Sequence, residues 1–208
     1  MALITFATPG PLGYMVGEAD TGPPTLAMHT FPIPKERYKR FFPEGVALVF
    51  HGFTPEFDDL PNGVKHRSRI HWWRAGRASQ SDDVPVLLGE NDVPDTALGA
   101  VLTVTNGVIE HPRRGKVLDS ISLRIVLELA GRLGIETRER TDWPLGRKSD
   151  GVSELLLAGS AFGIAGVREF VWLSGGGEVY PWPGPVFTKL AAAWSQMVGV
   201  DIVKQFTE

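Results

Sequence analysis

The sequence contains no cysteine, which excludes disulfides, thiolate metal sites and a cysteine nucleophile together. No window approaches the roughly 20 consecutive apolar residues that a membrane-spanning helix needs. The start, MALITFATPGPLG, has no basic leader ahead of an apolar segment, so the expectation is a soluble, cytoplasmic chain with no membrane partner. Nor is there a surplus of positive charge. Twenty-one lysines and arginines face 24 aspartates and glutamates, for a formal net charge of -3 at pH 7. A general attraction to nucleic acid is thereby excluded, and the basic clusters at 65–77 and 113–116 are too sparse to supply one locally. His66 and His71 are five residues apart, off the i, i+4 spacing of helical zinc ligands, so no metal site is expected. Ser153, Ser160 and Ser174 lack a nucleophile-elbow context, and the glycines at 175–177 lack the lysine and hydroxyl of a phosphate-binding P-loop.

What is present is ordinary globular material. With 208 residues, 43% hydrophobic and 22% charged, the chain has enough apolar surface for one sizeable core or two small ones. Up to about residue 62, short β-rich runs (ALITFAT, PPTLAMHTF, EGVALVFHGF) alternate with proline and glycine and predict strands with irregular connections. VPVLLGE (84–90) is a further strand. VLTVT and VIEH, joined by Asn106-Gly107, form the strongest hairpin signal in the chain. Apolar residues at 123, 126, 127, 129, 130 and 133 predict a helix that starts at Ile121 and ends at Gly134. A second helix is predicted over 185–198, with proline in its first turn and Gly199 just beyond its end. Between the two, SELLLAGS is a buried strand entering a small-residue turn, and REFVWL-SGGG-EVYPW a hairpin.

The segment GVKHRSRIHWWRAG (63–76) places Lys65 at the head of a basic, aromatic stretch with the look of a helix start. Trp72 and Trp73 would point about 100° apart on such a helix, so one of them is expected in the core. A single-strand nucleic-acid reading of KHRSR with these tryptophans has the right residue types, but the acidic balance and the lack of a matching fold signature argue against it.

Lys65 in VKHRSRIHWW, Asp95-Thr96-Ala97 in VPDTALGAVLTV, Leu118 to Ser122 in KVLDSISLRIVLELA, and Gly159-Ser160 in ELLLAGSAFGIAGV follow one another in a fixed order. With the closing PWPGPVFTKLAAAW, this set resembles the class IV aminotransferases. That family includes branched-chain and D-amino-acid aminotransferases and aminodeoxychorismate lyase, all using pyridoxal 5'-phosphate (PLP). The resemblance runs from about Thr8-Pro9-Gly10 to the carboxyl terminus and rests on order and spacing as much as on single residues.

The resemblance implies an α/β (α+β) fold of the D-amino-acid aminotransferase type, with a partial small amino-terminal domain at 1–62 and a large PLP-binding domain at 63–208. It implies a homodimer whose substrates are an amino donor and a keto acid acceptor. Lys65 would be the Schiff-base residue and later the base that moves a proton between substrate and cofactor. Such a lysine needs desolvation or nearby cations, and His66, Arg67 and Arg69 are cationic neighbours in sequence. The cofactor's ring nitrogen needs an anion. Family members supply a glutamate where this chain has Asp95, so two readings stand: a shorter partner for the ring, or an aspartate that merely sits in a turn. Leu118 would pack on the ring face. Ile121 and Ser122, at a helix amino terminus, and Gly159-Ser160 would hold the phosphate. Asp119 stands where the family commonly has proline, and either Asp119 or Ser120 is expected to cap the helix.

Full-length members carry, ahead of the matched region, a signature with an arginine for the phosphate and a tyrosine for the substrate pocket. The chain is expected to lack that portion. Three functions follow: an aminotransferase, an aminodeoxychorismate lyase using the same cofactor and lysine, or a shortened non-catalytic homologue acting as a binding or structural subunit.

Overall fold

The computed structural model describes residues 1–8, 22–53, 65, 69–79, 83–88, 94–113, 115–140, 151–172 and 175–208. Pro9 and Gly10, where the resemblance begins, lie outside them. The chain forms two units, Met1–Lys35 and Glu36–Glu208. The first is an antiparallel pair of strands, β1 (Ala2–Thr8) and β2 (Thr25–Phe31), in which Ala2 lies opposite Phe31 and Thr8 opposite Thr25.

Helix α1 (Lys35–Lys39) starts on the last residue of the first unit, and the second unit holds the rest of it with β3 (Val46–Phe53), α2 (Ile70–Ala78), β4 (Val84–Leu88), β5 (Pro94–Thr96), β6 (Ala100–Thr105) and β7 (Val108–Pro112). Then come α3 (Ile121–Arg132), β8 (Thr137–Arg140), β9 (Val152–Gly159), β10 (Gly163–Trp172), β11 (Gly177–Val179), α4 (Pro185–Val198) and α5 (Lys204–Thr207). Neighbouring strands run β11-β10-β3-β4-β5-β6-β7-β8, and β9 pairs with both β6 and β10. That double pairing closes β3, β4, β5, β6, β9 and β10 into a ring. β3 precedes residue 62 but belongs to this unit, held by parallel pairing with β10 on one side and β4 on the other. This is a mixed α+β architecture, as the sequence implied.

The local chemistry of the elements explains their ends. Asn106 (φ 52°) and Gly107 (φ 81°) both take positive φ between β6 and β7, the conformation a two-residue hairpin demands. Helix α3 is capped by the Ser120 hydroxyl, which accepts from the Leu123 N–H at 3.1 Å. It stops at Gly134 (φ 69°), with the Ile135 N–H donating to the Ala130 carbonyl and the Gly134 N–H to that of Gly131, a Schellman closure. Helix α4 starts at Pro185 and ends at Gly199 (φ 71°), as its proline and glycine require. Lys65 is a departure from expectation: α2 begins only at Ile70, so Lys65 precedes the helix and has no regular secondary structure. On α2, Trp72 is half-buried and Trp73 is exposed, with the Arg77 guanidinium 5.7 Å from its ring centre. Among the described residues no helix is long and apolar enough to cross a membrane.

Leu155, Leu156, Leu157 and Ala158 are all buried, so β9 is covered on both faces, which is why its sequence is a continuous apolar run. Helix α3 packs on β9 and α4 on β10. Among the described residues two glutamates are buried in this core, and both are engaged. Glu110 accepts from the Thr103 (3.1 Å) and Thr105 (2.8 Å) hydroxyls and pairs with Arg140 at 3.0 Å. Glu154, on β9, accepts from the Val186 N–H at 2.8 Å and the Phe187 N–H at 3.1 Å, capping α4 from another strand of the fold. The close packing of Glu154 against the α carbon of Gly184 leaves no room there for a side chain.

Glu154→Ala would strand two first-turn N–H groups beside a buried void. It is expected to cost about 3 kcal/mol, read as a lower urea midpoint at unchanged m value. Glu154→Gln, keeping the shape and one acceptor oxygen, is expected to lose about half of that. Equal stability of all three proteins would show that the cap carries no weight.

Candidate functional site

The site is built around the turn that joins β5 to β6. Thr96 locks it: its hydroxyl donates to the Gly99 carbonyl at 2.6 Å and accepts from the N–H groups of Gly99 (2.9 Å) and Leu98 (3.2 Å). Asp95, at the head of the turn, accepts from the Thr96 N–H through Oδ1 at 2.8 Å. The Arg69 guanidinium, at the start of α2, donates to the Ala97 carbonyl at 2.9 Å and so ties the start of that helix to this turn.

The charge around Asp95 follows from that arrangement. Burial pushes its pKa from the ordinary 3.8 up to about 6; the Thr96 N–H and the positive charges of Arg69 and Lys65 pull it back without cancelling the effect. Lys65 and Asp95 are therefore electrostatic neighbours, with the Lys65 side chain exposed and Asp95 half-buried. His66 and Arg67, the other cations expected beside Lys65, lie outside the described residues, as does Val93.

A second turn reaches the same place from β9. A β carbon on Gly99 would fall on the Ala158 carbonyl, and one on Gly159 would lie 2.5 Å from the Leu98 carbonyl and 2.7 Å from the Phe162 ring. Only two glycines allow these backbones to touch. Ser160 follows immediately, exposed, and the Ser122 hydroxyl donates to its hydroxyl at 3.4 Å. Ser122 is 2% exposed and sits in the first turn of α3. The amino-terminal N–H groups of that twelve-residue helix have no acceptor within the helix. Ile121 beside it is exposed, and Leu118 is half-buried on the segment leading in.

Of the residues expected to form the site, the structure thus brings Lys65 to Asp95, and Gly159, Ser160 and Ser122 to one another. The Leu98-Gly99 contact with Ala158-Gly159 joins the two groups. Leu118 and Ile121 flank the second group in sequence. Asp119 is not the helix cap; it pairs with Arg124, Nε to Oδ1 at 3.0 Å and Nη2 to Oδ2 at 2.6 Å. The Asp119 carboxylate raises the Arg124 pKa through this hydrogen bond and its charge. Sequence reasoning missed the roles of Gly99 and Arg124. The signals were a glycine at the mouth of a strand, which marks close backbone approach, and a five-residue spacing of opposite charges across a helix start.

No protein-family model matches this chain, and no curated protein sequence matches it. Solved structures do. The Escherichia coli branched-chain amino acid aminotransferase superposes with a TM-score of 0.75 at 20% identity, covering 95% of this chain and 64% of that one. The 4-amino-4-deoxychorismate lyase from Pseudomonas aeruginosa gives 0.73 at 20% identity, covering 93% and 70%. A branched-chain amino acid aminotransferase from "T.th.", solved with pyridoxamine 5'-phosphate, gives 0.67 at 17% identity, covering 95% and 64%. The chain spans about two thirds of the length of these proteins. It has the fold they share, which is the fold that its resemblance to class IV aminotransferases implied.

The raised pKa of Asp95 has a measurable consequence. Between pH 3.8 and about 6 the folded chain retains a proton that the unfolded chain has released. The stabilising contribution of protonated Asp95 is whole below pH 3.8 and is lost as the pH rises through about 6. That separation corresponds to on the order of 3 kcal/mol. Asp95→Asn cannot ionise, so its stability relative to the wild type is expected to improve by up to that order as the pH rises from about 4 to about 7. Urea titrations of both proteins across this range measure it, and parallel curves would mean that Asp95 ionises as an ordinary carboxyl does.

Proposed function

We propose that the chain is a PLP-dependent protein of the class IV aminotransferase kind, transferring an amino group from an amino acid to a keto acid with Lys65 as the covalent anchor. The observation that carries this reading is the convergence on the β5–β6 turn: a lysine and a carboxylate in each other's field, joined through a glycine-to-glycine backbone contact to a hydroxyl pair at a helix amino terminus.

The donor set fits the group chemically. PLP offers an aldehyde, a basic ring nitrogen and a phosphate dianion, and when bound it supplies an electron sink for the substrate's α-carbon. Lys65 is the amine that would anchor it and then hold and move the α-proton. Asp95 would face the ring nitrogen and keep it protonated, a task for which it must be ionised. With a pKa of about 6 it is mostly ionised at neutral pH. Arg69 holds the start of α2 against the turn through Ala97. Ser122, Ser160, the backbone at Gly159 and the N–H groups at Ile121 and Ser122 would hold the phosphate, with Leu118 against the ring. A homodimer and a cytoplasmic address belong to the same reading.

A second activity, lyase action on aminodeoxychorismate, is supported by the likeness to the Pseudomonas lyase at a TM-score of 0.73. It uses the same anchor and differs in what happens to the substrate. Assays of amino transfer between amino acids and keto acids, set beside elimination from aminodeoxychorismate, separate the two. A third reading, a shortened homologue without catalysis, corresponds to cofactor binding without either activity.

The reading is tested by titrating the protein with PLP, following visible absorbance, then reducing with borohydride and mapping the labelled peptide. Saturable absorbance with the label on Lys65, lost in Lys65→Ala, is expected. Label spread over surface lysines, or the same saturation in Lys65→Ala, would overturn it.

A further inference from the structure

Asp119 places a carboxylate immediately before the helix start that the proposed function assigns to a phosphate. Its neighbours define what it does. With Ser120 as the cap, Asp119 is the residue just outside α3 and Arg124 the fourth residue within it. In many helices these two positions carry apolar side chains that pack together and fix the angle at which the chain enters. Here a bidentate ion pair spans them, using both carboxylate oxygens and two guanidinium nitrogens.

The electrostatics give the pair a further role. A carboxylate next to a helix amino terminus is drawn to the partial positive charge there and competes for the unsatisfied N–H groups. Those are the groups a phosphate would use. We infer that Arg124 is a positioning residue that holds the Asp119 carboxylate off the α3 amino terminus and cancels its charge, so that the phosphate of PLP is admitted where an internal anion would otherwise compete. This rests on the proposed PLP site. Arg124 touches no reacting group in this account and acts only through Asp119.

The pair is open to mutation because it adds little to the fold. Its side chains are 61% and 30% exposed, and ion pairs at the surface contribute little to stability. Arg124→Ala takes the bidentate guanidinium from the carboxylate, whereas Asp119→Ala/Arg124→Ala removes the carboxylate itself.

The test measures the affinity of the full chain for PLP and for pyridoxal, which has the same aldehyde and ring but no phosphate. Absorbance titration and borohydride labelling of Lys65 are the readouts, with urea unfolding of each variant alongside. Arg124→Ala is expected to weaken PLP binding roughly tenfold while leaving pyridoxal binding unchanged. The double variant is expected to return PLP affinity to within about twofold of the wild type. Unchanged PLP affinity in Arg124→Ala would overturn the inference, as would an equal loss for pyridoxal or a double variant as weak as the single one. In those cases the wild type still labels at Lys65 and the PLP reading stands. A wild type that never labels at Lys65 removes both.

Discussion

The contact of the Leu98-Gly99 backbone with that of Ala158-Gly159 is the constraint on which the candidate site depends. The antiparallel pairing of β6 with β9 puts Ala100 opposite Ala158, so the entrance of β6 lies beside the exit of β9. Asp95 is just upstream of one and Ser160 just downstream of the other. The ladder register alone would bring these two turns near each other, and the glycines let them close to backbone contact. Thr96 fixes the first turn from within by three hydrogen bonds, and the buried strand β9 fixes the second. The turns are therefore held by the most buried part of the sheet, and functional groups held in this way need little ordering when a ligand arrives.

Three carboxylates near or inside the core show how the fold separates structure from chemistry. Glu110 and Glu154 are more buried than Asp95, yet each has several donors aimed at it: threonine hydroxyls and an arginine for one, a helix amino terminus for the other. Asp95 has one short backbone donor, and desolvation outweighs the combined pull of that donor, Arg69 and Lys65. A carboxylate left under-satisfied next to cations marks a functional site more strongly than burial alone does.

Much of this was legible in the sequence. The Asn106-Gly107 hairpin, α3 with its glycine end and α4 with its proline and glycine all carry strong local signals, and those signals agree with the tertiary fold. What escaped had weak local signals. β8 (TRER) is an edge strand with three exposed residues and no alternation, and its pairing with β7 across α3 supplies its conformation. β5 has three residues and contains a proline. Lys65 looked like the head of a helix, but helical preferences amount to tenths of a kcal/mol per residue and tertiary contacts override them, and Lys65 has no regular secondary structure. At Arg69 the guanidinium is bound to Ala97, 28 residues away, and the helix starts only after it.

The two aspartates of the site have opposite fates, and the difference explains why a carboxylate is tolerable at each. Under the proposed function Asp95 would face a ring nitrogen and could not also be held in a tight ion pair; it lies half-buried, with cations nearby that do not bond to it directly in the contacts described. On the same reading Asp119 would have to keep its charge from an anion, and both its oxygens accept from Arg124. A proline at 119 would fix the chain's approach to α3 through its ring. Aspartate has no such stiffness, and the bidentate pair across the first turn supplies the missing restraint from the side chain instead. One interaction thereby links the residue before the cap to the fourth residue of the helix and pairs the charge that the aspartate brings. The exchange is local to the first turn of α3 and leaves the Ser120 cap and the Ser122–Ser160 hydroxyl pair in place.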